Sequence, residues 1–183
     1  MTKEKIIEQT IALIKENNGD TDKVTIRKIA ERSKLSIGLM NHYFESKEKL
    51  LEVCVQTIIS GVVTSFKPEL CESSGPSEVL KCVAKQVMDF LMENPQISRI
   101  SILGDLTSPK ETDNTMGTVM GFAKSIPSDR PLETRLRDAF MLTAILQESF
   151  LRKDVLKRTL GIDFYIKSER DAYIDLIIEK VMK

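Results

Sequence analysis

The stretch TIRKIAERSKLSIGLMNHYFESKEKLL, residues 25–51, decides the fold because it is punctuated at regular intervals by helix-capping residues. Thr25, Ser36 and Ser46 each carry a hydroxyl that can accept a hydrogen bond from a free N–H in a helical first turn. Thr25 opens a short helix with Ile26, Ile29 and Ala30 on one face, ending near Ser33. Only Lys34 and Leu35 separate it from Ser36, which opens a second short segment running to Phe44. Ser46 opens a third, with Glu48 in its first turn, where the helix dipole favours a negative charge.

Two short helices joined by a tight turn, on a base of flanking helices, form a helix-turn-helix, whose second helix can lie in the DNA major groove. At about 100° per residue, with Met40 pointing inward, Phe44 and Ile37 fall on the inner side. Gly38, Asn41 and His42 then lie on or near the outer face, with Leu39 on the flank. Asn can pair with an adenine edge and an aliphatic group can meet a thymine methyl. Gly38 costs a helix about 1 kcal/mol relative to Ala, and close approach to a neighbour is a reason to carry that cost.

No lysine or arginine occurs between Ser36 and Phe44. Cations lie at the margins: Lys47 and Lys49 at the start of the third segment, where free N–H groups favour an anion, and Arg27 and Lys28 beside Thr25 at the start of the first. That arrangement fits a division in which phosphate contacts position and base contacts specify.

Catalysis finds little support. His42 is the chain's one histidine, and no second ligand stands at a metal-binding spacing from it. Cys54 falls on the apolar stripe of its helix, which suits a buried thiol better than a nucleophile paired with His42. There is no phosphate-binding glycine loop. No enzyme activity, metal or cofactor is expected.

Helical periodicity continues on both sides. Ile6, Ile7, Ile11 and Ile14 make one stripe, stopped by Asn17, Asn18, Gly19 and Asp20. Leu51, Cys54, Val55, Ile58, Ile59, Val62 and Phe66 make another, interrupted at Pro68. Residues 71–76 (CESSGP) have linker composition, and a helix over Ser77–Glu93 closes at Asn94-Pro95. Ser98 to Pro127 is ambiguous. Arg130–Lys153 and Ser168–Met182 are amphipathic helices, the second capped by Ser168. No strand alternation of useful length occurs, so the chain is expected to be all-α.

The 183 residues carry 27 cationic and 27 acidic side chains, so any polyanion site is a local patch rather than a global field. Three scattered cysteines (Cys54, Cys71, Cys82) without CxxC spacing are expected to be reduced. The first residues lack a signal-peptide core and no run approaches the roughly 20 apolar residues of a membrane span. A cytoplasmic protein is expected.

Residues 25–51, within a match from about Ile6 to Leu51, resemble the N-terminal segment of the TetR family of transcriptional regulators. The shared pattern reads T-hydrophobic-R-x-I-A, then a turn, then S-x-G, an aromatic pair and F-x-S-K-E-x-L. The resemblance implies phosphate contacts from Thr25 and Lys47, with Tyr43 a further backbone contact. It places Arg27, Gly38, Leu39, Asn41 and His42 among candidates for base contact; Lys28 and Ser36 complete the DNA-binding set. Two departures stand out. Lys34 occupies a turn position where the family commonly has Gly, so it has to adopt a left-handed conformation. The pair His42-Tyr43 inverts the more usual Tyr-His.

The resemblance also implies an N-terminal helix-turn-helix domain over 1–48 and a helical effector-binding and dimerisation domain over 49–183. Phe66, Met88, Met92, Met120, Phe122 and Phe140 each read singly as filling of the helical core; as a set they are the candidates for an apolar effector pocket, since Met fills irregular cavities at low cost. Phe140, Thr143, Phe150, Ile174, Ile177, Ile178 and Val181 are the candidates for a homodimer interface. The expectation is a repressor of a palindromic double-stranded DNA operator, released by a small, largely apolar molecule, with no membrane partner. The alternative is a helical ligand-binding or scaffold protein without specific DNA binding.

Overall fold

A computed structural model of the chain describes residues 2–63 and 76–182, and every regular element among them is helical. Ten α-helices follow in order: α1 (Thr2–Glu16), α2 (Ile26–Ser33), α3 (Ile37–Tyr43), α4 (Lys47–Val63), α5 (Pro76–Glu93), α6 (Pro95–Thr107), α7 (Asn114–Ser125), α8 (Leu132–Leu151), α9 (Lys153–Leu160) and α10 (Lys167–Val181). A single 3-10 turn at Thr21–Lys23 leads into α2. The ambiguous region resolves into α6, with Pro95 at its start, and α7, where Asp113 accepts from the Met116 N–H at 2.8 Å.

Two compact units result. The first comprises residues 1–62 and 94–109, so it contains α1–α4 and α6; the second comprises 63–93 and 110–183, with α5 and α7–α10. In the first, Ile6, Ile14, Ile29, Met40, Leu50 and Cys54 are fully or almost fully buried, so one face of each of α1–α4 closes a common core. Gln56 on α4 donates to the Asp105 carboxylate on α6 at 2.7 Å and accepts from the Ser101 hydroxyl at 3.2 Å. Beside this contact Gly104 lets the helices approach, since a Cβ there would lie 3.1 Å from the Gln56 amide nitrogen.

In the second unit α8 packs on α7 and α10, and α5 on α7, α8 and α10. Its core holds Leu80, Met88, Phe122, Leu142, Leu146, Phe150 and Ile174. Buried Arg170 ties α10 to the rest by donating to the Phe164 carbonyl at 2.7 Å and to Asp89 of α5. Lys85 pairs with Asp175 at 2.7 Å across the same two helices.

Several expectations are corrected. The expected helix over Arg130–Lys153 ends at Leu151 and is followed by the separate α9. Ser168 lies inside α10 rather than capping it; α10 begins after Ile166 with no side-chain cap. Cys82 is disulfide-bonded rather than reduced, because distance along the sequence does not limit which thiols meet in space. Phe66, Pro68 and the CESSGP linker apart from Pro76 lie outside the described residues.

Candidate nucleic-acid interface

The interface is assembled by caps. Thr25 Oγ1 accepts from the Lys28 N–H at 3.3 Å, Ser36 Oγ from Leu39 N–H at 3.2 Å, and Ser46 Oγ from Lys49 N–H at 3.1 Å. Each hydroxyl fixes where a helix begins, and so the rotation at which that helix presents its faces. Between α2 and α3 the chain turns through Lys34, whose φ of 56° and ψ of 42° are left-handed, as its place in the turn implied. Its N–H donates to the Ala30 and Glu31 carbonyls and closes α2.

α3 divides as its periodicity requires, with one exception. Met40 and Phe44 are buried; Gly38, Asn41 and His42 are exposed; Leu39 is half-buried on the flank. Ile37, expected on the inner side, is 46% exposed. It is the first residue of α3, where no preceding helical turn covers it, and it extends the outer face with an apolar group. A Cβ on Gly38 would meet nothing within 4 Å, so no contact inside the chain requires glycine there. The rings of His42 and Tyr43 meet edge to face at 5.4 Å, and both side chains are exposed.

Thr25, Arg27, Lys28 and Ser36 are exposed and Lys47 is half-buried, so all ten DNA-contact candidates reach the surface. The cations differ in what holds them. Among the described residues Arg27 and Lys47 make no ion pair, whereas Lys49 pairs with Glu52 at 2.9 Å and Lys28 donates to the Lys23 carbonyl at 3.0 Å. Arg32 is taken by Glu16 and Gln9 of α1. Cys54 is free and buried; burial pushes its thiol up to about 12, partly opposed by a hydrogen bond with Thr10. An un-ionised buried thiol is not a nucleophile.

An open cleft of 530 Å³ lies in the first unit, bordered by Ser46, Lys47, Leu51, Ile100, Leu103 and Gly104. Among the described residues, none of the effector candidates lines it. Of these, Met88 and Phe122 are fully buried core residues, Met92 is half-buried, and Met120 and Phe140 are exposed.

The dimer candidates differ in how far the single chain itself covers them. Thr143, Phe150, Ile174, Ile177 and Ile178 are buried within the single chain and Val181 is half-buried; Phe140 alone is exposed, at 53%. Both helices are apolar around much of their circumference, so periodicity finds a stripe without saying which side faces the chain's own core. The solvent-facing stripe of α8 is Phe140, Met141, Ala144 and Ile145, and that of α10 is Ala172 and Leu176.

A capped helix-turn-helix with an open outer face and marginal cations defines the class of DNA-binding regulators. Residues 6–54 match the family model "Bacterial regulatory proteins, tetR family". It is 24% identical over 97 residues to the nucleoid occlusion factor SlmA of Haemophilus ducreyi, a match covering 53% of this chain and 48% of that protein. The chain thus spans about half the length of that curated relative.

Two solved structures share the fold. A TetR from Streptomyces coelicolor superposes with a TM-score of 0.59 at 14% identity, covering 97% of this chain and 96% of the other. The transcriptional regulator FadR of Bacillus subtilis, in complex with stearoyl-CoA, gives 0.58 at 16% identity, again covering 97% and 96%. The family and these neighbours are regulators, not enzymes.

Proposed function

We propose that the chain is a ligand-responsive DNA-binding regulator that works in the cytoplasm as a homodimer, most simply as a repressor of a palindromic operator. The observation that carries the reading is the outer face of α3: Gly38, Asn41 and His42 are exposed together, and Gly38 has no intramolecular reason to be glycine. Asn41 and His42, with Arg27 and Leu39, read base edges. Lys47, Thr25, Tyr43 and the start of α4 hold phosphates. Lys28 and Ser36 act on the same flank, Ser36 chiefly by setting the start of α3.

A single α3 reads a few base pairs; two copies read half-sites one turn or more apart. The apolar stripes of α8 and α10, centred on Phe140, Met141, Ile145 and Leu176, supply the surface for that pairing, and two-fold symmetry lets one patch serve both copies. The effector is a small, largely apolar molecule taken up by the second unit; the stearoyl-CoA of the FadR complex carries an apolar acyl chain, there joined to a charged nucleotide. α4 continues into the second unit at Val63, and α6 joins it at Asn94 and after Pro109. Effector binding that shifts these junctions moves α4, alters the spacing of the two α3 helices, and weakens DNA binding reciprocally.

The test is a salt-dependent gel shift on duplex from the region upstream of the chain's own gene. Asn41→Ala relaxes base preference, whereas Lys47→Ala weakens all sequences alike and lowers the salt slope by about one unit. Failure to prefer any duplex at any salt refutes the reading, and the reverse pattern exchanges the roles of the two residues.

A further inference from the structure

The cations assigned to phosphate so far all come from α2 and α4. One more reaches the end of the reading helix from α1, 41 positions before Phe44 in the sequence. The ammonium of Lys3, in the first turn of α1, lies 5.5 Å from the centroid of the Phe44 ring. Phe44 is the C-cap of α3; its N–H donates to the Met40 carbonyl at 2.9 Å, and its side chain is buried. Lys3 is therefore held beside the last turn of α3, next in space to the residue that follows Tyr43 and precedes the Ser46 and Lys47 start of α4.

Three features distinguish this lysine. It is exposed, and among the described residues no carboxylate pairs with it, unlike Lys23, Arg32 and Lys49, which Asp20, Glu16 and Glu52 neutralise. It stands in the first turn of a helix, where the dipole disfavours a positive charge, so α1 gains nothing electrostatically from it. And the face of the Phe44 ring attracts the cation and limits where its long stem can go. A mobile surface lysine is thereby turned into a charge at a fixed place beside the reading helix.

We infer that Lys3 is a further DNA-phosphate contact, made from α1 to the backbone on the Tyr43 side of the groove that α3 enters. The inference rests on the DNA-binding reading above and adds a positioning contact to it. α3 carries no cation of its own between Ser36 and Phe44, so its C-terminal flank depends on neighbours for phosphate neutralisation. Lys47 supplies one such neighbour and Lys3 the other.

Phosphate contacts are independent of sequence, so the test needs no operator. Binding of the full-length protein to a 30-base-pair duplex of arbitrary sequence is measured by fluorescence anisotropy against salt concentration. Each phosphate neutralised contributes a slope of about −0.9 in log K against log salt. Lys3→Met keeps the aliphatic stem on Phe44 and removes the charge; its slope should be shallower by about 0.9. Lys3→Arg should restore the wild-type slope. Lys15→Met removes an exposed cation from the far end of the same helix, about 18 Å away at 1.5 Å per residue, and should leave the slope unchanged. Thermal unfolding of each variant shows that it is folded.

An unchanged slope in Lys3→Met, or equal losses in Lys3→Met and Lys15→Met, overturns the inference while wild-type binding leaves the DNA-binding reading standing. Wild-type protein with no salt-dependent affinity for any duplex overturns both.

Discussion

The two units of the molecule are built from the same kind of helix, yet their sequences constrain them differently. In the first, three hydroxyl caps fall within 22 residues, from Thr25 to Ser46, and each is satisfied as its spacing requires. In the second, α8 runs for 20 residues and α10 for 15, with apolar groups on more of their surface than one core needs. A short capped helix has its rotation fixed by its start. A long helix that is apolar on two sides has two nearly equivalent ways to face its core, and only the packed chain decides between them.

The largest test of that difference lies on α8. Phe150 is 1% exposed and Phe140 is 53% exposed, ten residues apart on one helix. Phe150→Ala should cost about 3–5 kcal/mol through lost burial and the cavity left behind, read as a lower urea midpoint. Phe140→Ala should change the stability of the single chain by no more than about 0.5 kcal/mol, while weakening self-association measured by sedimentation. Equal losses in the two variants would remove the distinction between the inner and outer faces assigned to α8.

What could be read from residues alone follows the same line. Thr25, Ser36 and Ser46, the inward Met40 and Phe44, the outward Gly38, Asn41 and His42, and left-handed Lys34 are all local consequences of a helix start or a turn. Ile37 failed because a helix's first residue has no turn before it to cover it. Of the dimer candidates, Thr143, Ile174 and Ile178 lie on the inner of two apolar sides, which periodicity does not tell from the outer. The signal was present in part: Asp138, Thr143 and Ser149 share the buried side of α8, where Asp138 meets Arg130 at 2.7 Å and the Thr143 hydroxyl donates to the Ala139 carbonyl at 2.8 Å. Periodicity alone does not rank such residues as interior. Likewise Lys3 could not be connected to Phe44 by any local pattern, since 41 positions separate them.

Electrostatics distinguishes the units at lower pH. Burial alone would raise the Asp89 carboxyl, but hydrogen bonds from Lys167 and Arg170 outweigh it and hold the group below the usual carboxylate range. A lowered folded value stabilises the protein fully above the unfolded value, near pH 4, and the contribution is lost as pH falls through the folded value. Asp89→Asn should therefore lower stability at neutral pH and flatten the acid limb below about pH 4. Glu16 in the first unit is also lowered, by its hydrogen bond with Arg32, but the pair is exposed. Glu16→Gln should move the acid limb much less, because solvent screens it. Urea midpoints from pH 2.5 to 7 decide between these outcomes; an equal flattening by both substitutions would show that burial of Arg170 adds nothing to its pair.

The smallest effect is expected at two of the left-handed helix ends, Lys34 after α2 at φ 56° and Gly161 after α9 at φ 70°. A side chain in that region costs about 1–2 kcal/mol, so Lys34→Gly relieves strain in the folded state. Two terms oppose the gain. Glycine widens the unfolded ensemble by about 0.4–1 kcal/mol, and a cation at a helix C-terminus is itself worth about 0.3–1 kcal/mol. The net gain should stay below about 1 kcal/mol, a rise in melting temperature of no more than about 2–4 °C for a chain of this size. Gly161→Ala runs the same exchange in the opposite direction without the charge, and should lose about 1 kcal/mol. If Lys34→Gly instead lowers the urea midpoint, the lysine's charge on the end of α2 outweighs its backbone strain, and the departure from glycine needs no functional account. If it raises the midpoint, the chain retains a strained lysine beside its reading helix at a cost to stability, and the salt slope of the same variant shows whether that charge reaches DNA.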